Sequence, residues 1–337
     1  MKVLITGGAG FIGTNFIHLL MRETNHHVIN LDLLTYAGNK SNCTKFENNN
    51  RYHFIHGDIA DRRTVETVLS DFAVDAIVNF AAESHVDRSI HDASAFIRTN
   101  IGGTQTLLDV ARRLKISRFI QISTDEVYGE LTETEKPFSE KSVVKPSNPY
   151  AASKAAADLL TLAAFRTHLQ PVIITRCSNN FGPYQYPEKF IPMTIQSAKA
   201  DKPIPVYGTG QNIRDWIFVE DHCRGILRAL EAGKDGEIYN FGSNSERQNR
   251  EVATKILELL GKSPKLIRFV TDRPGHDFRY AIDFERAKTE LGWEPRVSFE
   301  TGLARTIEWY NSNEVWLKKT MTPQFSEFCT KHYGDIS

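Results

Sequence analysis

Residues 3–20 read VLITGGAGFIGTNFIHLL. An apolar run stops at Gly7. Gly10 and Gly13 follow at G-x-x-G-x-x-G spacing, and an apolar-periodic stretch begins behind them. The reading is strand, tight turn, helix. Glycines at such a turn let backbone N–H groups approach a pyrophosphate at a helix N-terminus. The spacing is one residue longer at the front than the usual G-x-G-x-x-G dinucleotide fingerprint, and the physics is the same. Asp32 closes the next apolar run, HVINLD. A carboxylate there accepts hydrogen bonds from an adenosine ribose, which favours NAD over NADP. No Arg or Lys stands beside it to hold a 2′-phosphate. Gly57-Asp58-Ile59 ends the third strand candidate, at the height expected for an adenine ring.

Outward from this unit, the first half alternates short apolar runs with helical patterns. Strands are expected at Lys2–Thr6, His27–Leu31, Tyr52–His56, Ala76–Phe80, Phe119–Ser123 and Val172–Arg176, and helices near 12–23, 62–71, 95–115 and 149–168. Buried, non-alternating strands separated by helices predict an α/β fold, a doubly wound parallel sheet of Rossmann type. After residue 178 the pattern loosens and Pro183, Pro187, Pro192, Pro203 and Pro205 crowd together. We expect an NAD-binding domain over 1–178 and a smaller, discontinuous α/β substrate lobe over 179–337. The chain is expected to return to the first domain around 213–245 and 298–308. Further elements are expected at 214–219, 221–231, 236–241, 248–260 and 299–311.

The 337 residues hold 41 basic and 41 acidic side chains, so nothing suggests a nucleic-acid binder. The four cysteines form no C-x-x-C pair and no Cys/His cluster, so no metal site is expected and a reduced, cytoplasmic protein fits. The chain opens directly on a strand, so no targeting segment is expected. No apolar stretch is long enough to span a bilayer, and no membrane partner is expected.

Residues 122–129 read ISTDEVYG and place Asp125 and Glu126 side by side behind a strand. Side chains alternate faces along a strand, so two neighbours serve one site only if the backbone is turning. The bland alternative is a capping box, Ser123-x-x-Glu126. Gly129 and a polar stretch follow instead of an apolar-periodic helix. In NPYAASKAAADLL, Tyr150 and Lys154 are four apart and share a helical face. An ammonium and a cationic nicotinamide beside a phenol would both favour phenolate, a base able to take a hydroxyl proton.

With these residues in view, the chain resembles the extended short-chain dehydrogenase/reductase superfamily and, within it, the dTDP-glucose 4,6-dehydratase family. The carriers are TGGAGFIG (6–13), AAESHVDRSI (81–90), STDEVYG (123–129), PYAASKA (149–155), CSNNFGPYQYPEKFIP (177–192), IRDWIFVEDH (213–222), DRPGHDFRYAID (272–283) and the terminal HYGDIS. The departures are Phe181, where relatives often have Tyr, and Phe278, where Arg is common.

The resemblance implies oxidation at C4 of a nucleotide-linked glucose, loss of water across C5 and C6, and reduction at C6, with NAD regenerated. It implies Tyr150 as the base for the C4 hydroxyl, supported by Lys154 and Thr124. Glu126 would be the base at C5 and Asp125 the acid for the C6 hydroxyl. Which carboxyl carries the proton stays open, because coupled protons belong to the pair. The resemblance assigns NAD to Gly7, Gly10, Phe11, Ile12, Gly13, Asp32, Leu33, Thr35, Asp58, Ile59, Ala81, Ala82, Thr99, Tyr150, Lys154 and Asn180. It assigns the dTDP-glucose substrate to Ser84, Thr124, Asn179, Lys189, Phe190, Pro205, Tyr207, Arg214, Asn249, Arg273, His276 and Tyr333. Bland readings stand beside three of these: Arg214-Asp215 as a surface ion pair, Asn249 as a helix cap, His276 as a turn residue. A homodimer is also implied. A UDP-sugar 4,6-dehydratase, a 4-epimerase and a non-catalytic NAD-binding regulator remain as alternatives. Thymine and uracil differ by one methyl group, worth about 1–3 kcal/mol in an apolar pocket.

Overall fold

In the computed structural model, residues 1–321 are described. The strands are β1 (Lys2–Thr6), β2 (His27–Asp32), β3 (Tyr52–His56), β4 (Ala76–Asn79), β5 (Arg118–Thr124), β6 (Val172–Cys177), β7 (Asn179–Phe181), β8 (Ile204–Tyr207), β9 (Ile213–Phe218), β10 (Ile238–Phe241), β11 (Glu246–Gln248) and β12 (Ile267–Val270). Seven of them form one sheet in the order β10-β6-β5-β4-β1-β2-β3. Every pairing in it is parallel. The chain runs outward from β1 to β3, then crosses back to β4 and on to β6. The β1/β4 boundary is therefore the switch point where open α/β sheets bind ligands, beyond the carboxyl ends of the strands.

The strands are apolar on both faces because helices cover both faces. Val3, Ile5, Val28 and Val78 pack into one cluster with Phe16, Ile17 and Leu20. Leu4, Ile29, Leu31 and Ile77 face the opposite side, against Val65, Leu69 and Leu107. The helix Pro149–His168 begins at Asn148, whose side chain accepts from Ala151 N, with Pro149 in its first turn. Proline's missing N–H costs nothing there. It ends in the left-handed turn at Leu169.

The helix expected near 95–115 runs from Ser94 to Arg113, with Ile97–Gly103 as a π-helical segment within it. At Gly103 a Cβ would lie 2.5 Å from Ile59 Cδ1, so only glycine lets the turn approach β3's loop this closely. Within this segment Asn100 donates to Glu83 O at 3.0 Å and Ser153 Oγ at 2.8 Å. Widened turns of this kind gather at functional sites.

A three-stranded sheet β11-β9-β7 and a two-stranded sheet β12-β8 make up the second region. The helix Val219–Ala232 and β10 lie against the large sheet, whereas β9 belongs to the small one. The helix Phe299–Ser312 packs on β7 and β9 through Phe299, Leu303 and Ile307. Phe181 is fully buried among Trp216, Phe218 and Phe299. No helix among the described residues is long and apolar enough to cross a membrane. Tyr333 and the HYGDIS tail lie outside the described residues.

Candidate active site

The glycine loop sits at the carboxyl end of β1. Gly7 N donates to Leu31 O at 2.9 Å, and Gly10 N to Gly7 O at 3.2 Å. Gly7 has φ +67°, and a Cβ there would stand 2.6 Å from Ala81 N. Only glycine satisfies both demands. The helix Phe11–Glu23 starts at Gly10 without a side-chain cap, so its first N–H groups are left for a ligand. Asp32 accepts from Ala9 N at 2.9 Å and Leu34 N at 2.7 Å. Burial pushes its carboxyl up, and those two bonds oppose the shift. Asp58 is ion-paired with Arg98.

All sixteen residues assigned to NAD line one cavity over the switch point, together with Thr124, Asp125 and Glu126. A second cavity adjoins it. Phe190, Pro205, Tyr207, Arg214, Asn249, Arg273 and His276 line the second, and Ser84, Asn179 and Lys189 line both. Glu126 also lines both. Of the assigned substrate residues, only Tyr333 cannot be placed. The donor set suits NAD: a glycine cradle a Cβ would fill, a free helix N-terminus, and an acceptor at the ribose position.

β5 ends at Thr124, and Asp125–Tyr128 forms one 3-10 turn, closed by Gly129 at φ +88°. The turn lets both carboxylates reach one cavity. The cap comes from Thr124, whose Oγ1 accepts from Glu126 N at 3.3 Å. Ser123 Oγ has no partner, so the Ser123-x-x-Glu126 box is not formed. Asp125 is 2% exposed. Its Oδ1 accepts from Thr124 Oγ1 at 3.2 Å and its Oδ2 has no partner. Burial, Glu126 and Asp215 push its carboxyl well above the ordinary range. Burial raises Glu126 too, but Arg273, Arg214 and Lys189 pull it back, with Asn148 donating at 3.4 Å. The surroundings of the pair favour the proton on Asp125 over Glu126.

Tyr150 and Lys154 are both buried in the helix Pro149–His168. Lys154 Nζ donates to Ile122 O at 2.6 Å, and burial pushes its ammonium down. The Tyr150 phenol is pushed well up, by burial first and then by Glu126, while a hydrogen bond with Thr124 opposes this. Both groups are sealed from water, so burial favours the neutral form of each.

The bland readings fail at two positions. Arg214 makes no ion pair with Asp215. It is 5% exposed, donates to Ile213 O at 2.7 Å and Asp277 O at 2.9 Å, and stacks on Tyr280 at 4.3 Å. Asp215 instead accepts from Ser243 and Ser245. Asn249 is not the cap: Gln248 is, in a reciprocal box with Glu251. His276 faces the second cavity, 2.6 Å from Asp272 Oδ1, its ring edge-on to Tyr207. Burial, Arg214 and Arg273 push its imidazole down to about 4. Arg273 pairs with Asp87 at 3.2 Å and Lys189 Nζ donates to Ser84 O at 3.0 Å.

Sequence reasoning passed over Glu188. Its side chain is 1% exposed, lines both cavities and pairs with Arg88 at 3.2 Å. Arg88 stacks on Tyr36 at 4.0 Å. The available signal was a lone Glu between Pro187 and Lys189 in an otherwise apolar run.

A Rossmann-type sheet with a Tyr/Lys helix and two adjacent carboxylates over its switch point is the construction of a short-chain dehydrogenase/reductase that removes water from a nucleotide sugar. The family model for GDP-mannose 4,6 dehydratase matches residues 4–306, and the chain belongs to that family. Among curated relatives, a dTDP-glucose 4,6-dehydratase from Streptomyces niveus is 48% identical over 328 residues, covering 96% of each chain. A low-salt glycan biosynthesis protein from Haloferax volcanii is 51% identical over 310 residues, covering 92% of this chain and 98% of that one. A solved dTDP-glucose 4,6-dehydratase from Streptomyces venezuelae, with NAD and dTDP bound, has a TM-score of 0.92 and 46% identity. The match covers 95% of this chain and 100% of that one.

Proposed function

We propose that this chain is an NAD-dependent hydro-lyase that converts dTDP-glucose to dTDP-4-keto-6-deoxyglucose. The observation that carries the reading is Asp125 beside Glu126 in one cavity with Tyr150 and Thr124, with only Glu126 facing three cations.

Bound NAD would sit across Gly7–Gly13, Asp32, Asp58 and Asn180, accepting hydride from C4 and returning it to C6. The chain's own groups handle the protons. Tyr150 takes the C4 hydroxyl proton, and Thr124 hydrogen-bonds the same oxygen. The C4 ketone acidifies the C5 proton, and Glu126, whose ionised form Arg273, Arg214 and Lys189 favour, removes it. Hydroxide leaves poorly, so Asp125 delivers its proton to the C6 oxygen and water departs. Elimination needs base and acid on neighbouring carbons together. Burying Asp125, with Glu126 half-buried beside it, limits competing water. Lys154, fixed by the Ile122 carbonyl, would place positive charge in the wall of the cofactor cavity.

Arg214 and Arg273 suit the diphosphate, because a guanidinium fork binds two phosphate oxygens. Asn249, His276, Tyr207 and Pro205 would frame the nucleoside side. Ser84, Asn179, Lys189 and Phe190 would hold the sugar. The division near residue 178 into a cofactor domain and a substrate lobe belongs to the same reading.

We place the enzyme in the cytoplasm. The three cysteines among the described residues are unpaired and buried, as a reducing compartment leaves them. Ile97 and Leu159 are more than half exposed on the helical face that a homodimer would cover.

The test is incubation of the purified protein with dTDP-glucose and no added reductant. Mass spectrometry should show loss of one water with no net reduced cofactor. An unchanged mass with inverted C4 would indicate an epimerase instead.

A further inference from the structure

We propose that His222 is a positioning residue for the cofactor cleft, locking the Asn180 amide in one orientation so that NAD stays bound between turnovers. The proposal rests on the reading above that Asn180 forms part of the NAD site.

His222 lies in the first turn of the helix Val219–Ala232 and is 0% exposed. Its Nδ1 is 2.9 Å from Asn180 Oδ1. The other end of that amide is committed, because Asn180 Nδ2 donates to Ser178 O at 3.0 Å and Cys177 Sγ at 3.2 Å. Oδ1 can only accept, so Nδ1 carries the ring proton. Nε2 is buried and has no partner. A second proton there would be an unpaired buried donor, and burial pushes the imidazole down to about 3. The ring is neutral with one fixed tautomer across the physiological range. The Asn180 backbone is held as well: Gln185 Nε2 donates to its carbonyl at 2.9 Å.

Asn180 lines both cavities. The next residue along the helix reaches a second lining residue. Cys223 Sγ lies 3.8 Å from Ile12 O, in the first turn behind the glycine loop. One turn of one buried helix thus touches two residues that line the cofactor cavity. A cofactor regenerated in every cycle gains nothing by leaving, and fixed walls slow its escape. None of the motif residues in VEDH touches the reacting atoms, so His222 acts through Asn180.

The test uses three variants of the full chain: H222N, H222Q and H222F. An Asn side chain places a donor where His Nδ1 stood. Gln places one where Nε2 stood, and Phe fills the ring volume with no donor. Each protein is desalted, its bound NAD quantified, and the release rate followed. H222F and H222Q should release NAD about tenfold faster than the parent, as expected for one lost buried hydrogen bond. H222N should recover most of the retention. A role in packing alone would reverse that order, since Phe and Gln fill more of the space than Asn. NAD retention in H222F equal to the parent's, or H222N no better than H222Q, overturns the proposal. If H222F fails to fold, Asn180→Leu reports instead: it should speed release alike, and adding H222Q to it should change nothing further. Additive effects there would also overturn it. A parent protein that binds no NAD at all would strike at the cofactor reading, not at His222.

Discussion

Asp125 and Glu126 are neighbours in the chain and open onto the same cavity, yet the surrounding cations act mainly on Glu126. Burial raises the Glu126 carboxyl and Arg273, Arg214 and Lys189 pull it back, while Asp125 has an unpartnered Oδ2, a 3.2 Å bond from Thr124 and only Arg214 opposing its rise among the cations. Pairs of titratable groups whose surroundings push them apart mark acid and base roles. The predictions below follow from that asymmetry and from the packing around it.

Replacing Glu126 with Gln removes the C5 base and leaves the C4 chemistry in place. Solvent deuterium should no longer enter C5, and water loss should fall by roughly 10²–10⁴-fold. Asp125→Asn should lose water elimination to a similar degree but keep exchange at C5. Nuclear magnetic resonance of recovered sugar in deuterated water separates the two. Identical exchange in both variants would remove the division of roles.

Asp125→Asn should also be at least as stable as the parent. A carboxyl whose pKa is raised in the fold contributes stability fully at low pH. That contribution is lost as pH rises through the raised value. A permanently neutral amide avoids the loss, so Tm should rise by about 2 °C, most clearly on the alkaline side. Thermal melts of both proteins at acidic and alkaline pH check this.

Arg214 pulls the Glu126 carboxyl down. Removing the cation in Arg214→Met should raise that pKa. A base must be unprotonated to act, so the acid limb of the kcat profile should move to higher pH. KM for dTDP-glucose should rise as well, since a diphosphate partner is lost. An acid limb that does not move would uncouple Arg214 from the base.

The buried pair Arg176–Asp158, at 2.9 Å with both side chains nearly inaccessible, lies behind Lys154. Breaking one side leaves an uncompensated charge. Arg176→Met should cost about 3–5 kcal/mol, and the double variant with Asp158→Leu should recover most of it. Denaturant unfolding of the four proteins of that cycle gives the answer.

Much of the scaffold was legible because its central strands are buried on both faces and some helices, such as those starting at Asp61, Asn148 and Ser298, carry side-chain caps. Tyr52–His56 and Pro149–His168 fall where the apolar run and the Asn148-Pro149 start place them. The helical window near 95–115 is helical, but its π-segment over Ile97–Gly103 carries no local sequence mark. The site residues were legible where chemistry is local: the glycine loop, the adjacent carboxylates, the Tyr/Lys spacing. The burial of Tyr150 and Lys154 was not legible, since spacing along a helix does not report burial. Glu188, Arg88 and Tyr36 come together from three separate segments, and His222 meets Asn180 across 42 positions, so no local pattern marks them.

The most direct test of hydride storage within one site uses dTDP-glucose carrying deuterium at C4. Conversion by the purified enzyme in ordinary water should give a 4-keto-6-deoxy product with that deuterium at C6. Deuterium retained at C4, or lost to solvent while water is eliminated, would contradict the oxidation, elimination and reduction sequence assigned to Tyr150, Glu126 and Asp125.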